Sequence, residues 1–236
     1  MLIFLDLETT GLEEKDRLCS IGIIAIDENE FIGFSELIKP QKKVTVEASS
    51  INHITNEMLK EKKVFNDSHA LVLLNKYNKK ENTLIAHNSN FDLEMLRREG
   101  FKWSGVIVDT LRCSKHLIQE CERYSLQYLR YELKLYKQEV ALAKELNIKI
   151  EAHSAISDAM HVNLLYDYLL EDSTSEELEN LTFKQVLIQK FNFGKHNGKY
   201  IEEVATGDRA YLEWLLKNMS DLDEDLRYSV EYFLTR

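Results

Sequence analysis

The sequence predicts an α/β protein: a mixed sheet, antiparallel at first and parallel later, followed by a small α+β module. Three observations carry this expectation. Strand-like apolar segments follow one another at residues 2–8, 20–26 and 31–38. Two more, at 83–86 and 106–108, alternate with helical periodicities. After residue 170 an acidic stretch of small residues precedes a region of different character.

Taken in order, Leu2, Ile3, Phe4 and Leu5 open the first strand, Gly11 breaks it, and Glu13 to Arg17 form a charged turn. A second strand spans 20–26. Asp27-Glu28-Asn29 make a tight connection, and 31–38 is a third strand, giving an antiparallel meander. Pro40, the only proline, ends it. Lys39, Lys42 and Lys43 read as a solvated basic turn. Residues 51–59 begin as a loop and continue as a short helix capped by Thr55. Ala70, Leu71, Leu73, Leu74 and Tyr77 give 66–79 a helical stripe. The strand at 83–86 runs into His87-Asn88-Ser89-Asn90-Phe91-Asp92, with helix over 93–98. The strand at 106–108 ends at Asp109, and helices follow over 111–118, 125–133 and 139–146. In the strong helix over 155–170, Asp158, Val162, Leu165 and Leu169 share one face.

The chain then divides into residues 1–170, an acidic linker or short connecting helix over 171–180, and a module over 181–236. Thr182-Phe183-Lys184-Gln185 reads as a capping box opening a helix. Asn197-Gly198 between aromatic flanks is a hairpin signal. Asp208 is expected to cap a helix with Tyr211, Leu212 and Leu215 inward. Residues 181–201 hold four lysines and no acid, whereas 202–236 are acidic. The module is near the lower size limit for an independent domain.

With 236 residues, 44% hydrophobic and 10% aromatic, the chain suits a globular protein of one or two domains. Its net charge of −10 argues against non-specific duplex binding, although a metal-binding carboxylate cluster would account for part of the excess. Cys19, Cys113 and Cys121 are odd in number and fit no zinc spacing, so they read as reduced thiols of a cytoplasmic protein. The N-terminal apolar run lacks a basic region before it and ends in Asp6, so it is not expected to be a signal peptide. No stretch approaches the ~20 apolar residues of a membrane span.

The chemistry begins at Asp6 and Glu8. Two residues apart on a strand, they point the same way. Their neighbours are apolar or small, so the strand is expected to be buried on both faces. Two close, buried carboxylates repel and are costly without a counter-charge. Lys and Arg are absent from residues 1–14, which makes a metal cation the economical partner. Asp92 and Asp158 each sit in a first helical turn, where an acid is either a partner of the helix dipole or a ligand aimed inward. His153, five residues before Asp158, lies in a loop entering a helix, and such a lone histidine is most often incidental.

The conjunction of these signals is specific. Phe4-Leu5-Asp6-Leu7-Glu8-Thr9-Thr10-Gly11-Leu12, His87-Asn88-Ser89-Asn90-Phe91-Asp92 and His153-Ser154-Ala155-Ile156-Ser157-Asp158-Ala159 resemble the three motifs of the DEDDh 3′–5′ exonucleases. That group holds proofreading epsilon subunits, ribonuclease T and oligoribonuclease. Asn52-His53-Ile54-Thr55 is similar to the family's His-Gly-Ile-Thr loop, without the Gly. Val108-Asp109-Thr110-Leu111 and Tyr124-Ser125-Leu126 also fit. The resemblance covers residues 1–170. Phe193 to Lys199, with Tyr211 to Leu215, resembles a small module that follows the nuclease domain in exodeoxyribonuclease-X-like proteins.

The resemblance implies a ribonuclease-H-like fold, a five-stranded mixed sheet flanked by helices. It also implies two divalent cations, Mg²⁺ or Mn²⁺, bound by Asp6, Glu8, Asp92 and Asp158. Asp6 would bridge both ions, with Glu8 and Asp158 on the nucleophile side and Asp92 on the leaving-group side. His153 would be the general base. Thr9, Gly11, Leu12, His53 and Phe91 are candidate contacts to the terminal nucleotide, Phe91 being equally readable as core. The expected substrate is a nucleic-acid 3′ end, single-stranded DNA before RNA, cut to nucleoside 5′-monophosphates. A DNA polymerase or repair protein is a possible partner, and no membrane is expected. The rivals are an exoribonuclease and a non-catalytic polymerase accessory subunit. The module over 181–236 is either a basic-aromatic contact for nucleic acid or a hairpin brace.

Overall fold

The computed structural model of the chain describes residues 1–28, 31–118, 121–151 and 153–236. Of the expected connection at 27–29, Asn29 lies outside the described residues. The chain forms two compact units, Met1–Thr182 and Phe183–Arg236.

The first unit is a ribonuclease-H-like sheet of five strands: β1 (Leu2–Thr9), β2 (Leu18–Ile26), β3 (Phe31–Leu37), β4 (Thr83–Ala86) and β5 (Val106–Asp109). Their order in space is β3-β2-β1-β4-β5. β1 is central, antiparallel to β2 and parallel to β4. Its alternation sorts side chains onto two cores. Ile3, Leu5 and Leu7 enter the core shared with Leu74, Leu84 and Leu96. Phe4 enters the opposite core with Ile24, Val108, Val162 and Leu165. Asp6 and Glu8 follow Phe4 on that second face.

Twelve α-helices are described. In the first unit they are α1 (Val46–Asn52), α2 (Asn56–Leu59), α3 (His69–Tyr77), α4 (Ser89–Arg98), α5 (Thr110–Leu117), α6 (Leu126–Glu132), α7 (Glu139–Glu145), α8 (Ala155–Leu169) and α9 (Ser175–Phe183). α1 was not anticipated, because its sequence has one apolar residue per turn; Thr45 caps it by accepting the Ala48 N–H. Thr55 caps α2 as expected, accepting the Met58 N–H. α8 is buried nearly all round and lies on β1 and β2. Tyr166 of α8 meets Phe4 edge to face at 5.7 Å, an aromatic pair worth about 0.5–1.5 kcal/mol beyond its buried area.

The stretch 171–180, expected as an acidic linker or a short connecting helix, is helical from Ser175, and Leu178 and Leu181 join the first unit's core. The capping expectation that follows it is corrected: Thr182 does not open a helix but lies near the end of α9. Its hydroxyl accepts the Asp109 N–H at 2.9 Å and donates to the Leu178 carbonyl at 2.9 Å. Core burial of Leu178 won over the local capping signal.

The second unit holds α10 (Ile201–Gly207), α11 (Arg209–Asn218) and α12 (Glu224–Leu234) around Phe191, Ile201, Leu212, Leu215, Leu226 and Val230. The hairpin signal yields one bridge, Lys190 with Tyr200, and the Asn197-Gly198 step follows a single helical turn over Gly194–His196. Leu212 and Leu215 are buried as expected, but the Asp208 carboxylate does not cap α11. It pairs instead with Lys195 at 2.6 Å and His196 at 2.9 Å, which hold it down to about 2. Among the described residues no helix is long and apolar enough to cross a membrane.

Candidate active site

The site forms where β1 ends. The register of β1 against β2 shifts between Glu8 and Thr9, a bulge that ends regular pairing. Asp6 lies opposite Gly22 and Glu8 opposite Ser20. A Cβ at Gly22 would sit 2.3 Å from the Ala155 carbonyl carbon. Only glycine there lets the first turn of α8 approach the strand, and that turn carries Asp158. Asp6, Glu8 and Asp158 consequently offer carboxylate oxygens all within 4.8 Å of one another.

Asp92, in the first turn of α4, is buried beside this trio but is not one of it. Asp109 sets the turn that aims α4. Its carboxylate accepts the Asn88 and Ser89 N–H groups at 3.1 and 2.9 Å, and it also caps α5. Asn88 is left-handed at φ 72°, which turns the chain sharply from β4 into α4.

Electrostatics identify what the trio lacks. Burial, then the charges of Asp158, Asp92 and Glu8, push the Asp6 carboxyl well above the usual range. Burial and Asp158 push Glu8 up to about 7, against a hydrogen bond from the Asn52 side chain. Burial, then Asp109, raises Asp92 as well. Among the described residues no Lys or Arg pairs with Asp6, Glu8 or Asp158; His161 lies 3.3 Å from Asp158. Hard, crowded carboxylate oxygens without a basic partner are the donor set that Mg²⁺ or Mn²⁺ fits. Cys19 supplies no thiolate, because burial and Glu8 push its thiol up to about 12.

His153 is exposed and lines a cavity of about 620 Å³ with Glu8, Asn52, His53, Ser154 and Ala155. Its ring meets that of His53 edge to face at 6.1 Å. Both histidines have left-handed backbones, φ 52° and 58°, which cost non-glycine residues about 1–3 kcal/mol each. At His53 this conformation is that of the α1 C-cap, whose N–H donates to the Ser49 carbonyl.

The other sequence-predicted residues divide. Thr9 donates to the Gly11 carbonyl at 2.7 Å, and Leu12 projects at 86% exposure. Phe91 is half-buried and packs on the Ile3 side of the sheet, the core reading that its sequence allowed.

Three supporting residues escaped the sequence reading. Asn52 is buried between the Thr9 carbonyl, which accepts from Nδ2 at 3.2 Å, and the Ile54 N–H, which donates to Oδ1 at 3.0 Å. Asp16 is buried under the Thr9–Leu12 turn. It accepts from Thr10 Oγ1 at 2.6 Å and the Glu13 N–H at 2.7 Å, and it pairs with Lys42 at 2.7 Å. Gly22 is the third, its signal being a lone glycine inside an apolar strand.

The family model described as Exonuclease matches residues 3–166, and that described as Exodeoxyribonuclease X-like C-terminal matches 191–220. Exodeoxyribonuclease 10 of Escherichia coli (strain K12) is 26% identical over 241 residues, covering 99% of each chain. DNA polymerase III subunit epsilon of Treponema pallidum (strain Nichols) is 40% identical over 98 residues, 40% of this chain and 43% of that one. Among solved structures, exonuclease X in complex with 5′-overhanging duplex DNA superposes with a TM-score of 0.60 at 22% identity, over 77% of this chain and 99% of that one. The first of these matches spans well over half of the sequence and includes all three acidic motifs, so the chain belongs to the exonuclease family, as a 3′–5′ exonuclease.

Proposed function

We propose that the chain hydrolyses the terminal phosphodiester at the 3′ end of DNA with single-stranded character, releasing nucleoside 5′-monophosphates. The observation that carries this is the convergence of Asp6, Glu8 and Asp158 oxygens within 4.8 Å and without a Lys or Arg partner. Asp92 completes the acidic set. Two divalent cations held by these four carboxylates would activate the attacking water and stabilise the leaving oxygen.

The chain's own groups do the rest. A carboxylate engaged with metal is a poor base, so His153, at the exposed mouth of the cavity, takes the proton of the attacking water. The Thr9–Leu12 turn, held from below by Asp16, faces the terminal nucleotide, with Gly11 allowing close approach and Leu12 and His53 against base or sugar. Apolar contact of this kind tolerates any base. DNA is preferred over RNA because a relative matched over 99% of its length is an exodeoxyribonuclease and the C-terminal module matches that class. A chain that only bound nucleic acid would have no use for a crowded acidic centre, whose burial is costly. The likeness of part of the chain to polymerase epsilon subunits supports a polymerase or repair partner, and reduced cysteines support a cytoplasmic setting.

The test is digestion of end-labelled single-stranded DNA and RNA of equal sequence with Mg²⁺ or Mn²⁺. Faster loss of DNA from its 3′ end is expected. Faster digestion of RNA would assign an exoribonuclease, and no digestion of either would overturn the reading.

A further inference from the structure

Four side chains close a ring with Asp158. Gln127 of α6 donates from Nε2 to Asp158 Oδ1 at 2.6 Å. One turn further along α8, His161 places Nδ1 3.3 Å from the same oxygen. The other nitrogen of His161, Nε2, lies 3.2 Å from Glu139 Oε2 at the start of α7. Arg130 of α6 grips Glu139 in a two-pronged pair, Nε and Nη2 each at 2.8 Å. Its third arm, Nη1, donates to Gln127 Oε1 at 3.2 Å and returns the ring to its start.

This circuit has three physical consequences. The Gln127 amide is fixed in orientation, because its oxygen is claimed by Arg130 and its nitrogen by Asp158. The charge of Arg130 is spent on Glu139 rather than on Asp158. Both contacts to Asp158 fall on Oδ1, which leaves Oδ2 outside the ring's hydrogen bonds. The ring is enclosed: the side chains of Arg130, Glu139 and His161 are 15%, 12% and 3% exposed. Polar networks closed in this way hold one arrangement, since every alternative leaves a buried group unpaired.

We propose that Gln127, His161, Glu139 and Arg130 are positioning residues that hold the Asp158 carboxylate in its cation-binding orientation. They act through Asp158, which Gln127 and His161 contact directly. The inference rests on the reading of Asp6, Glu8 and Asp158 as the cation site. Carboxylate ligands set by hydrogen bonds behind them lose about 10–100-fold in metal affinity when those bonds are removed.

The test is calorimetric titration of Mn²⁺ into the metal-free, full-length chain without nucleic acid, for the wild type, Asp158→Asn, Gln127→Ala, His161→Leu and His161→Gln. Circular dichroism checks each fold; Gln127 is partly exposed, so Gln127→Ala remains informative if His161→Leu misfolds. Gln127→Ala and His161→Leu are expected to weaken Mn²⁺ binding by about 10–100-fold. His161→Gln, which keeps an amide in reach of Asp158, is expected to recover most of that loss. With DNA present, kcat at limiting Mn²⁺ falls while KM for the strand stays near the wild-type value. If Asp158→Asn weakens Mn²⁺ binding and folded Gln127→Ala does not, the ring is packing only and the inference is overturned. If Asp158→Asn itself binds Mn²⁺ like the wild type, the cation-site reading fails and the ring's role with it.

Discussion

Gly22 and Ala155 make the contact on which the site depends. The strand residue has no side chain, and the helix backbone occupies the space one would fill, with the Ala155 carbonyl 2.3 Å from an added Cβ. Substituting Gly22→Val forces α8 outward and carries Asp158 away from Asp6 and Glu8. Overpacking of this kind costs about 1–3 kcal/mol, which urea unfolding will show as a lower midpoint. Turnover is expected to fall further than that loss of stability accounts for, measured at a temperature where the variant is fully folded. Wild-type turnover in Gly22→Val would mean that the approach of α8 does not position the acid.

The raised carboxyl of Glu8 links metal, pH and stability. In the unfolded chain Glu8 ionises near 4.3, whereas in the metal-free fold it ionises at about 7. Between those values the folded chain binds the extra proton, so stability falls as pH rises through that window. The metal-free protein is therefore expected to lose thermal stability from pH 5 to pH 8. Mg²⁺ should raise Tm more at pH 8 than at pH 5, where it must displace protons. Equal Mg²⁺ shifts at both pH values, read by differential scanning calorimetry, would contradict the crowding of these acids.

His153→Ala is expected to lower kcat by about 10²–10⁴ while strand binding changes little, as removal of a general base does. Fluorescence anisotropy with a labelled strand in Ca²⁺ separates the two effects. A loss confined to binding would reassign His153 as a substrate contact.

Asp16 is held low, despite its burial, by Lys42, by Thr10 and by the Glu13 N–H. Asp16→Ala leaves the buried Thr10 hydroxyl without its acceptor, at a cost of about 1–3 kcal/mol, and loosens the Thr9–Leu12 turn. KM for the strand is expected to rise several-fold more than kcat falls. A change in kcat alone would separate this turn from the nucleotide.

Much of this molecule is legible in its sequence, for physical reasons. The alternation Phe4-Asp6-Glu8 against Ile3-Leu5-Leu7 dictates which face the acids take once both sides of β1 are buried. Asp158 shares its helical face with core residues, which left it either a helix-dipole partner or an inward ligand, and the fold sets its carboxylate beside Asp6 and Glu8. Most of the parts that escaped depend on contacts between segments far apart in the chain, and Asp16 on a turn that folds it back under Thr10. Gly22 reads as a weak strand residue until α8 is laid on it. Asn52 and Asp16 look like ordinary polar loop residues, and their buried hydrogen bonds to Thr9 and Thr10 exist only in the fold. Thr182 and Asp208 carried good capping chemistry locally, but Asp109 and Lys195 offered them better partners. The ring of Gln127, Arg130, Glu139 and His161 unites three helices, and no local pattern announces it.

The central claim is that the acids at the end of β1 hold divalent metal for cutting a 3′ end. The most direct measurement compares the wild type with Asp6→Asn, using a 3′-labelled single strand and a parallel Mn²⁺ titration. Asp6→Asn is expected to fold, to unfold at a higher temperature than the wild type when metal-free, to bind Mn²⁺ weakly and to lose nearly all turnover. Wild-type turnover and Mn²⁺ affinity in that variant would contradict the account.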